Sequence, residues 1–124
     1  MPTVRATWKR LRDRALALPE AVEEFPWGDR VAKVRKKIFI FIGEGEGKDA
    51  SIALKLDGDA HGHALSLPGA KPTAYNLGKA GWVTIPLAAL TAHPDLLLEW
   101  VEISYCLIAP KRLSGGIARR PPVM

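Results

Sequence analysis

The segment YNLGKAGWVTI, residues 75–85, concentrates side chains that can bind or stack on ligands. Lys79 follows a glycine there, so a phosphate-binding loop is the first chemistry to test. Such a loop needs a glycine, four residues and then Gly-Lys-Ser/Thr. Thr73 stands where the first glycine is required, and Ala80 stands where the hydroxyl is required. The segment GEGEGK fails the same test because Ile42 occupies its first glycine position.

Candidate metal ligands and nucleophiles are few and poorly arranged. His61 and His63 fall on a predicted helix, where residues two apart point to nearly opposite sides and cannot share one ion. On a strand the two imidazoles could share an ion. Cys106 is interpreted as a small buried side chain of the last helix rather than a nucleophile.

Two carboxylate pairs could in principle support acid–base catalysis. Glu23-Glu24 and Asp57-Asp59 lie at predicted turns and helix starts, where acidic residues commonly serve as caps. No histidine or nucleophile is placed beside either pair by the sequence. We therefore expect no catalytic activity, no metal and no cofactor.

Basic residues stand where two hairpins are predicted to turn. Arg35 and Lys36 form the predicted turn of the first hairpin, Lys33 and Lys37 flank it, and Lys79 lies at the tip of the second. Two extended hairpins with cationic tips can straddle a phosphate backbone or enter a groove. Lysine and arginine also protect exposed turns and strand edges, and the sequence leaves this ordinary role open.

Trp82 has two alternative interpretations. It alternates with Val83 and Ile85 on the last predicted strand, so the indole faces outward near Lys79 if the branched pair faces the core. An exposed indole of this kind stacks on bases or forms an interface. In the alternative, Trp82 covers the first helix.

Hydrophobic periodicity predicts the elements that position these residues. A helix is predicted over residues 3–18, with Thr3 as its N-cap. A turn-rich connector follows at residues 23–30. Strands are predicted at residues 32–35, 38–42 and 50–56, and a short helix at residues 57–69. A second hairpin follows at residues 72–86 and a closing helix at residues 94–109. This order predicts an α+β fold of two layers, an antiparallel sheet with N- and C-terminal helices.

The net charge of +5 is spread unevenly over the 124 residues. Residues 1–37 hold ten basic and five acidic side chains, residues 38–110 hold four and eight, and residues 111–124 hold four and none. Basic ends around an acidic middle favour an anionic partner, although an ordinary solvated surface explains the pattern about as well. We expect one domain over residues 1–112 and a basic, disordered tail over residues 113–124.

The single cysteine excludes an internal disulfide and a thiolate metal cluster. The N-terminal segment has charges every few residues and no apolar stretch of signal-peptide length, and no other run approaches the length of a membrane span. We therefore expect a cytoplasmic protein that does not enter the membrane.

Several segments resemble the MmcQ/YjbR family in their order and spacing: EEFPWG, KVRKKIFIFI, SIALKL, LPGAKPTAYNLGKAGWVTI and LLEWVEISYCLIAPK. The resemblance covers about residues 5–112. It implies a CyaY-like fold with a helix, an antiparallel sheet, a short helix, a hairpin and a closing helix. Members of this family are described as DNA-binding proteins with a double wing, which implies DNA as the partner of this chain.

The resemblance implies that residues 75–85 form the second wing, with Gly78-Lys79-Ala80 at its tip, and that KVRKKIF forms the first. At the turn of the first wing this chain has Arg35-Lys36, where family members often carry small residues or glycine, and the change favours a phosphate contact. The residues implied to bind nucleic acid are Lys33, Arg35, Lys36, Lys37, Tyr75, Asn76, Lys79 and Trp82.

Two alternatives to DNA binding are weighed. A protein- or small-ligand-interaction module would use the groove between hairpins and helices, with Tyr75, Asn76 and Trp82 as anchors. The fold relationship to frataxin-like proteins raises iron binding on an acidic first helix, but the first helix here is basic and cannot bind a cation in that way. We expect a monomeric DNA-binding protein.

Overall fold

The computed structural model of the protein describes residues 3–45, 47, 50–74 and 77–114. Helices are α1 (Val4–Ala17), α2 (Gly58–Leu65), α3 (Pro94–Ile108) and α4 (Lys111–Ser114). Strands are β1 (Val22–Glu24), β2 (Val31–Val34), β3 (Lys37–Phe41), β4 (Ser51–Lys55), β5 (Lys71–Pro72) and β6 (Trp82–Pro86). Short 3₁₀ turns span Pro26–Gly28, Leu77–Ala80 and Leu87–Ala89.

The strands form one sheet in the order β1-β2-β3-β4-β6-β5, and every neighbouring pair is antiparallel. Helices α1 and α3 pack on one face of this sheet. The buried cluster between the two layers includes Leu11, Ile40, Leu54, Ile85 and Val101. The predicted α+β architecture with an antiparallel sheet is confirmed.

Helix α1 forms as its sequence predicts. The Thr3 hydroxyl oxygen accepts a 2.9 Å hydrogen bond from the Ala6 amide and caps the first turn. The apolar stripe is buried at Leu11 and Ala15. No helix in the described part of the chain is both long and apolar enough to cross a membrane.

Helix α3 is fixed to the centre of the sheet by a buried serine. Ser104 donates a hydrogen bond to the Phe39 carbonyl of β3 and accepts one from the Lys55 amide of β4 at 2.9 Å. The Tyr105 ring packs edge-on against Phe39, with centroids 5.2 Å apart. These contacts set where the C-terminal end of α3 lies relative to the strands.

The connector predicted at residues 23–30 contains a strand that the sequence did not indicate. Strand β1 pairs Glu23 with Ala32 and Glu24 with Val31. Glutamate is depleted in strands, so local preference opposes this strand and only pairing with β2 reveals it.

The second hairpin is shorter than predicted. The hairpin is predicted over residues 72–86; its first strand, β5, is only two residues long, and Leu77–Ala80 forms a 3₁₀ turn. One residue beyond β5, the Thr73 amide still donates a 3.1 Å hydrogen bond to the Trp82 carbonyl. The Gly78 amide donates a 3.0 Å hydrogen bond to the Thr73 carbonyl.

The predicted tail begins within a helical turn, because α4 includes Leu113 and Ser114. The rest of that tail, residues 115–124, lies outside the described residues. The division into a domain and a disordered tail stays a prediction.

Candidate nucleic-acid interface

Strand directions place three connections at one end of the sheet. Strands β2 and β4 run in the same direction, since each is antiparallel to β3. The Arg35-Lys36 turn after β2 and residues 56–58 after β4 therefore lie at the same end. Strand β6 runs the opposite way and pairs Trp82 with Lys55, so the connection 73–81 that precedes it also lies there. We call this end of the sheet the wing end.

The first turn has the geometry of a two-residue hairpin. The backbone φ angles of Arg35 and Lys36 are 51° and 68°, and both residues lie in the left-handed region. Consecutive positive φ angles give a turn whose twist matches that of the flanking strands. This confirms the predicted turn, and it directs the two side chains beyond the strands.

Three lysines of the wing end are exposed to solvent: Lys36, Lys37 and Lys79. None of them makes an ion pair with an acidic side chain in the described part of the chain. The opposite end of the sheet carries Asp29 and Glu44 in the connections that flank β2 and β3. Arg30 pairs with Glu44 there, and the wing end also carries the acidic residues Glu20 and Asp57, so each end presents both signs of charge.

Arg35 differs from these lysines because it already has a partner. Its Nε lies 2.6 Å from Oε1 of Glu20, and its Nη2 lies 3.0 Å from Oε2 of the same carboxylate. Glu20 precedes β1 and is separated from Arg35 by the whole of β1 and β2. Sequence periodicity contains no signal for this pair.

Lys33 flanks the first turn, as the sequence predicts, since it pairs with Ile38 across β2 and β3. It alternates with Ala32 and Val34, which are fully buried under the helices, and so projects from the other face of the sheet. Its Nζ lies 3.3 Å from Oε1 of Glu24 on β1, and its side chain is only 19% exposed. Lys33 is therefore removed from the candidate phosphate contacts.

Neither interpretation of Trp82 matches the structure. Val83 and Ile85 face the core, so the indole does project away from the helices and cannot cover α1. It is nevertheless only 7% exposed, and its ring packs edge-on against Phe41 with centroids 5.6 Å apart. A side chain this buried is not presented to a base.

Tyr75 and Asn76 lie outside the described residues. Beside them, the 3₁₀ turn and the start of α2 enclose an open groove of about 320 Å³. Asp57, His61 and Lys79 are among its lining residues. The groove has mixed charge, and its described walls lack the aromatic anchors on which the interaction-module alternative depends.

The C-terminal end of α3 also lies at the wing end. The Tyr105 hydroxyl donates a 2.6 Å hydrogen bond to the Pro19 carbonyl, next to the partner of Arg35. Helix α4 begins six residues after Tyr105 and presents Lys111 and Arg112, both exposed. The sequence showed that this region is basic, but only the packing of α3 shows which end of the sheet it extends.

Other arginines are engaged within the fold. Glu23 on β1 lies 2.7 Å from Arg12 Nε of α1 and 3.1 Å from Arg30 Nη1. The hydrogen bond from Arg12 lowers the pKa of Glu23, burial opposes this effect, and Arg30 lowers the pKa further. Arg14 of α1 pairs with Glu102 of α3. We regard these pairs as links between secondary-structure elements rather than as ligand sites.

Metal ligation has little support among the described residues, where no group of three or more histidine, cysteine, aspartate or glutamate side chains is gathered. The predicted helix that carries His61 and His63 is confirmed as α2. The His63 ring packs edge-on against Trp100 of α3, with centroids 5.4 Å apart. His63 is nevertheless exposed and His61 is half-buried.

Comparisons with known proteins agree with this architecture. The family model YjbR matches residues 16–107. No curated protein matches the chain. The fold is similar to the crystal structure of the Deinococcus radiodurans protein DR2400, with its family-model domain DUF419, at 25% identity and a TM-score of 0.68 over 98% of this chain and 94% of that one. The resemblance drawn from sequence segments is thereby confirmed, and the chain belongs to the YjbR family.

Proposed function

We propose that the protein binds DNA through its wing end, mainly by contacts to backbone phosphates. The main support is the sheet topology, which brings two separate connections and their exposed lysines to one end. In this proposal the protein is a monomeric, cytoplasmic binding protein that works without a catalytic step, a metal or a cofactor.

The cations proposed to contact phosphates are Arg35, Lys36, Lys37 and Lys79. Lysine and arginine that neutralise phosphates release condensed counterions, which supplies affinity without reading sequence. The buried Trp82 and the paired Lys33 take no direct part. Little sequence discrimination is expected, because contacts to backbone phosphates carry no sequence information.

Lys111 and Arg112 widen this surface on the helical side of the wing end. They follow α3, whose register on the sheet is set by Ser104. A duplex that contacts the Arg35-Lys36 turn would therefore meet additional positive charge beyond the strands. We include the two residues as secondary phosphate contacts.

The test is a fluorescence-anisotropy titration with duplex and single-stranded DNA at two salt concentrations. Binding that weakens steeply with salt and differs little between duplex sequences is expected. A matched control replaces Lys9 and Arg10 with alanine, because both are exposed on α1, away from the wing end. The proposal fails if the protein does not bind DNA at low salt, or if the α1 control weakens binding as much as loss of the wing lysines does.

The interaction-module alternative predicts a different result. Its groove includes Lys79, but a neutral ligand or a protein would bind there with weak dependence on salt. Absence of DNA binding, together with a ligand seated between the 3₁₀ turn and α2, would place that alternative first.

A further inference from the structure

One ion pair at the wing end has the geometry of phosphate recognition. Arg35 presents Nε and Nη2 to the two oxygens of Glu20, at 2.6 and 3.0 Å. Two parallel contacts from one guanidinium are the arrangement in which arginine holds either a carboxylate or a phosphate. The Glu20 carboxylate therefore occupies the position in which a phosphate group would bind.

Both partners are held in an unusual backbone conformation. The φ angle of Glu20 is 59°, and that of Arg35 is 51°. Among the described residues other than glycine, only these two and Lys36 have positive φ, so all three such residues lie at the wing end. At Arg35 and Lys36 the two-residue turn requires this conformation, and Glu20 adopts it in the segment between α1 and β1.

Contacts from both layers hold the backbone on either side of the pair. Pro19, directly before Glu20, accepts the 2.6 Å hydrogen bond from the Tyr105 hydroxyl of α3. Arg35 is held by the two-residue turn between β2 and β3. The guanidinium is thus oriented before any ligand arrives, which reduces the entropy lost on binding.

The pair is also accessible. The side chain of Arg35 is 42% exposed and that of Glu20 is 48% exposed. Exposed ion pairs contribute little to stability, because water and salt screen them. A DNA phosphate, supported by the neighbouring lysines, can therefore replace the carboxylate without unfolding any element.

We propose that the Glu20 carboxylate is an internal substitute for a DNA phosphate. It pairs with the guanidinium of Arg35 in the free protein, and a phosphate of the DNA backbone displaces it on binding. This inference rests on the DNA-binding function proposed above. Its consequence is that Glu20 opposes binding: it competes for Arg35, and after displacement its negative charge stays close to the bound phosphate.

The test compares Glu20→Gln with wild type by anisotropy titration on a short duplex across a salt series. Affinity should rise by about three- to tenfold at low salt, because no carboxylate competes for the guanidinium, and the gain should shrink as salt screens that competition. Adding Arg35→Ala to Glu20→Gln should remove this gain, because the freed guanidinium is then absent.

Glu24→Gln is the matched control. It removes the same charge from a carboxylate that pairs with Lys33 instead of Arg35. Glu20→Gly provides a second variant, because glycine adopts a φ of 59° without strain and also removes the carboxylate. Circular dichroism and melting temperature verify that each variant is folded.

The outcomes separate this inference from the proposed function. If wild type binds DNA through its lysines but Glu20→Gln and Glu20→Gly bind no more tightly than wild type, the substitution role is wrong and DNA binding stands. The same conclusion follows if Glu24→Gln gains as much affinity as Glu20→Gln. If neither wild type nor Glu20→Gln binds DNA, both proposals fail.

Discussion

Replacing Trp82 with alanine should destabilise the protein and leave the DNA affinity of the folded molecules unchanged. The indole is 7% exposed and packs against Phe41, so its removal leaves a cavity on the sheet face opposite the helices. Buried Trp→Ala substitutions cost about 3–5 kcal/mol. For a domain of this size we convert this to a fall in melting temperature of about 10–20 °C.

Thermal and urea unfolding followed by circular dichroism measure the loss of stability, and anisotropy well below the transition measures the affinity for single-stranded DNA. Trp82→Phe is the control: it keeps an aromatic ring against Phe41 and should lose only about 1–2 kcal/mol. If Trp82 instead stacked on a base, alanine would lower the affinity by about 1–3 kcal/mol. An unchanged melting temperature combined with that loss of affinity would refute the buried role assigned here.

Three further predictions concern the fold and its electrostatics. Ser104→Ala leaves the Lys55 amide and the Phe39 carbonyl without their buried partner, so the free energy of unfolding measured in urea should fall by about 1–3 kcal/mol. The control Ser66→Ala, at an exposed serine, should lose less than about 0.5 kcal/mol. Equal losses for the two variants would contradict the reasoning. Because the folded-state pKa of Glu23 lies below its ordinary value of 4.5, its pairing stabilises the protein above that pH and the contribution is lost as the pH falls through the lower folded-state pKa. Glu23→Gln should therefore be less stable than wild type near neutrality and approach it in acid, and a pH-independent difference would count against this. Chelation with EDTA should change neither melting temperature nor DNA affinity, and a stoichiometric transition metal in elemental analysis would overturn metal independence.

The parts of the fold that depend on local sequence were predictable. The apolar stripe of α1 and its Thr3 cap depend on residues a few positions apart in the sequence. The same is true of the turn at Arg35 and Lys36. The short helix before residue 66 was also predicted, although two glycines weaken it. In each case the pattern and its structural consequence lie within one element.

Features that depend on tertiary pairing were not predictable. Strand β1 contains Glu23 and Glu24, and it exists because β2 offers a partner and nearby basic side chains neutralise its charge. The burial of Trp82 depends on Phe41 from another strand. Period-two alternation gives the face of a side chain but not what covers it.

The candidate site shows the same division. The sequence identified the cations of both connections, and the sheet topology shows that the two connections lie at one end of the sheet. The sequence could not identify Glu20, because this partner of Arg35 comes from a segment fifteen residues earlier. Nor could the sequence distinguish Lys33, which pairs with Glu24, from the exposed lysines.

DNA binding through the wing end is decided by one comparison, the salt dependence of duplex affinity for wild type and for a variant with alanine at residues 35, 36, 37 and 79. If about five phosphates are neutralised, the wild-type slope of log affinity against log salt should be near −4 to −5. The variant should bind more weakly, with a slope shallower by about one unit for each lost contact, and similarly on different sequences. A folded variant that binds duplex DNA as tightly as wild type at low salt, with an unchanged slope, would contradict the proposed interface.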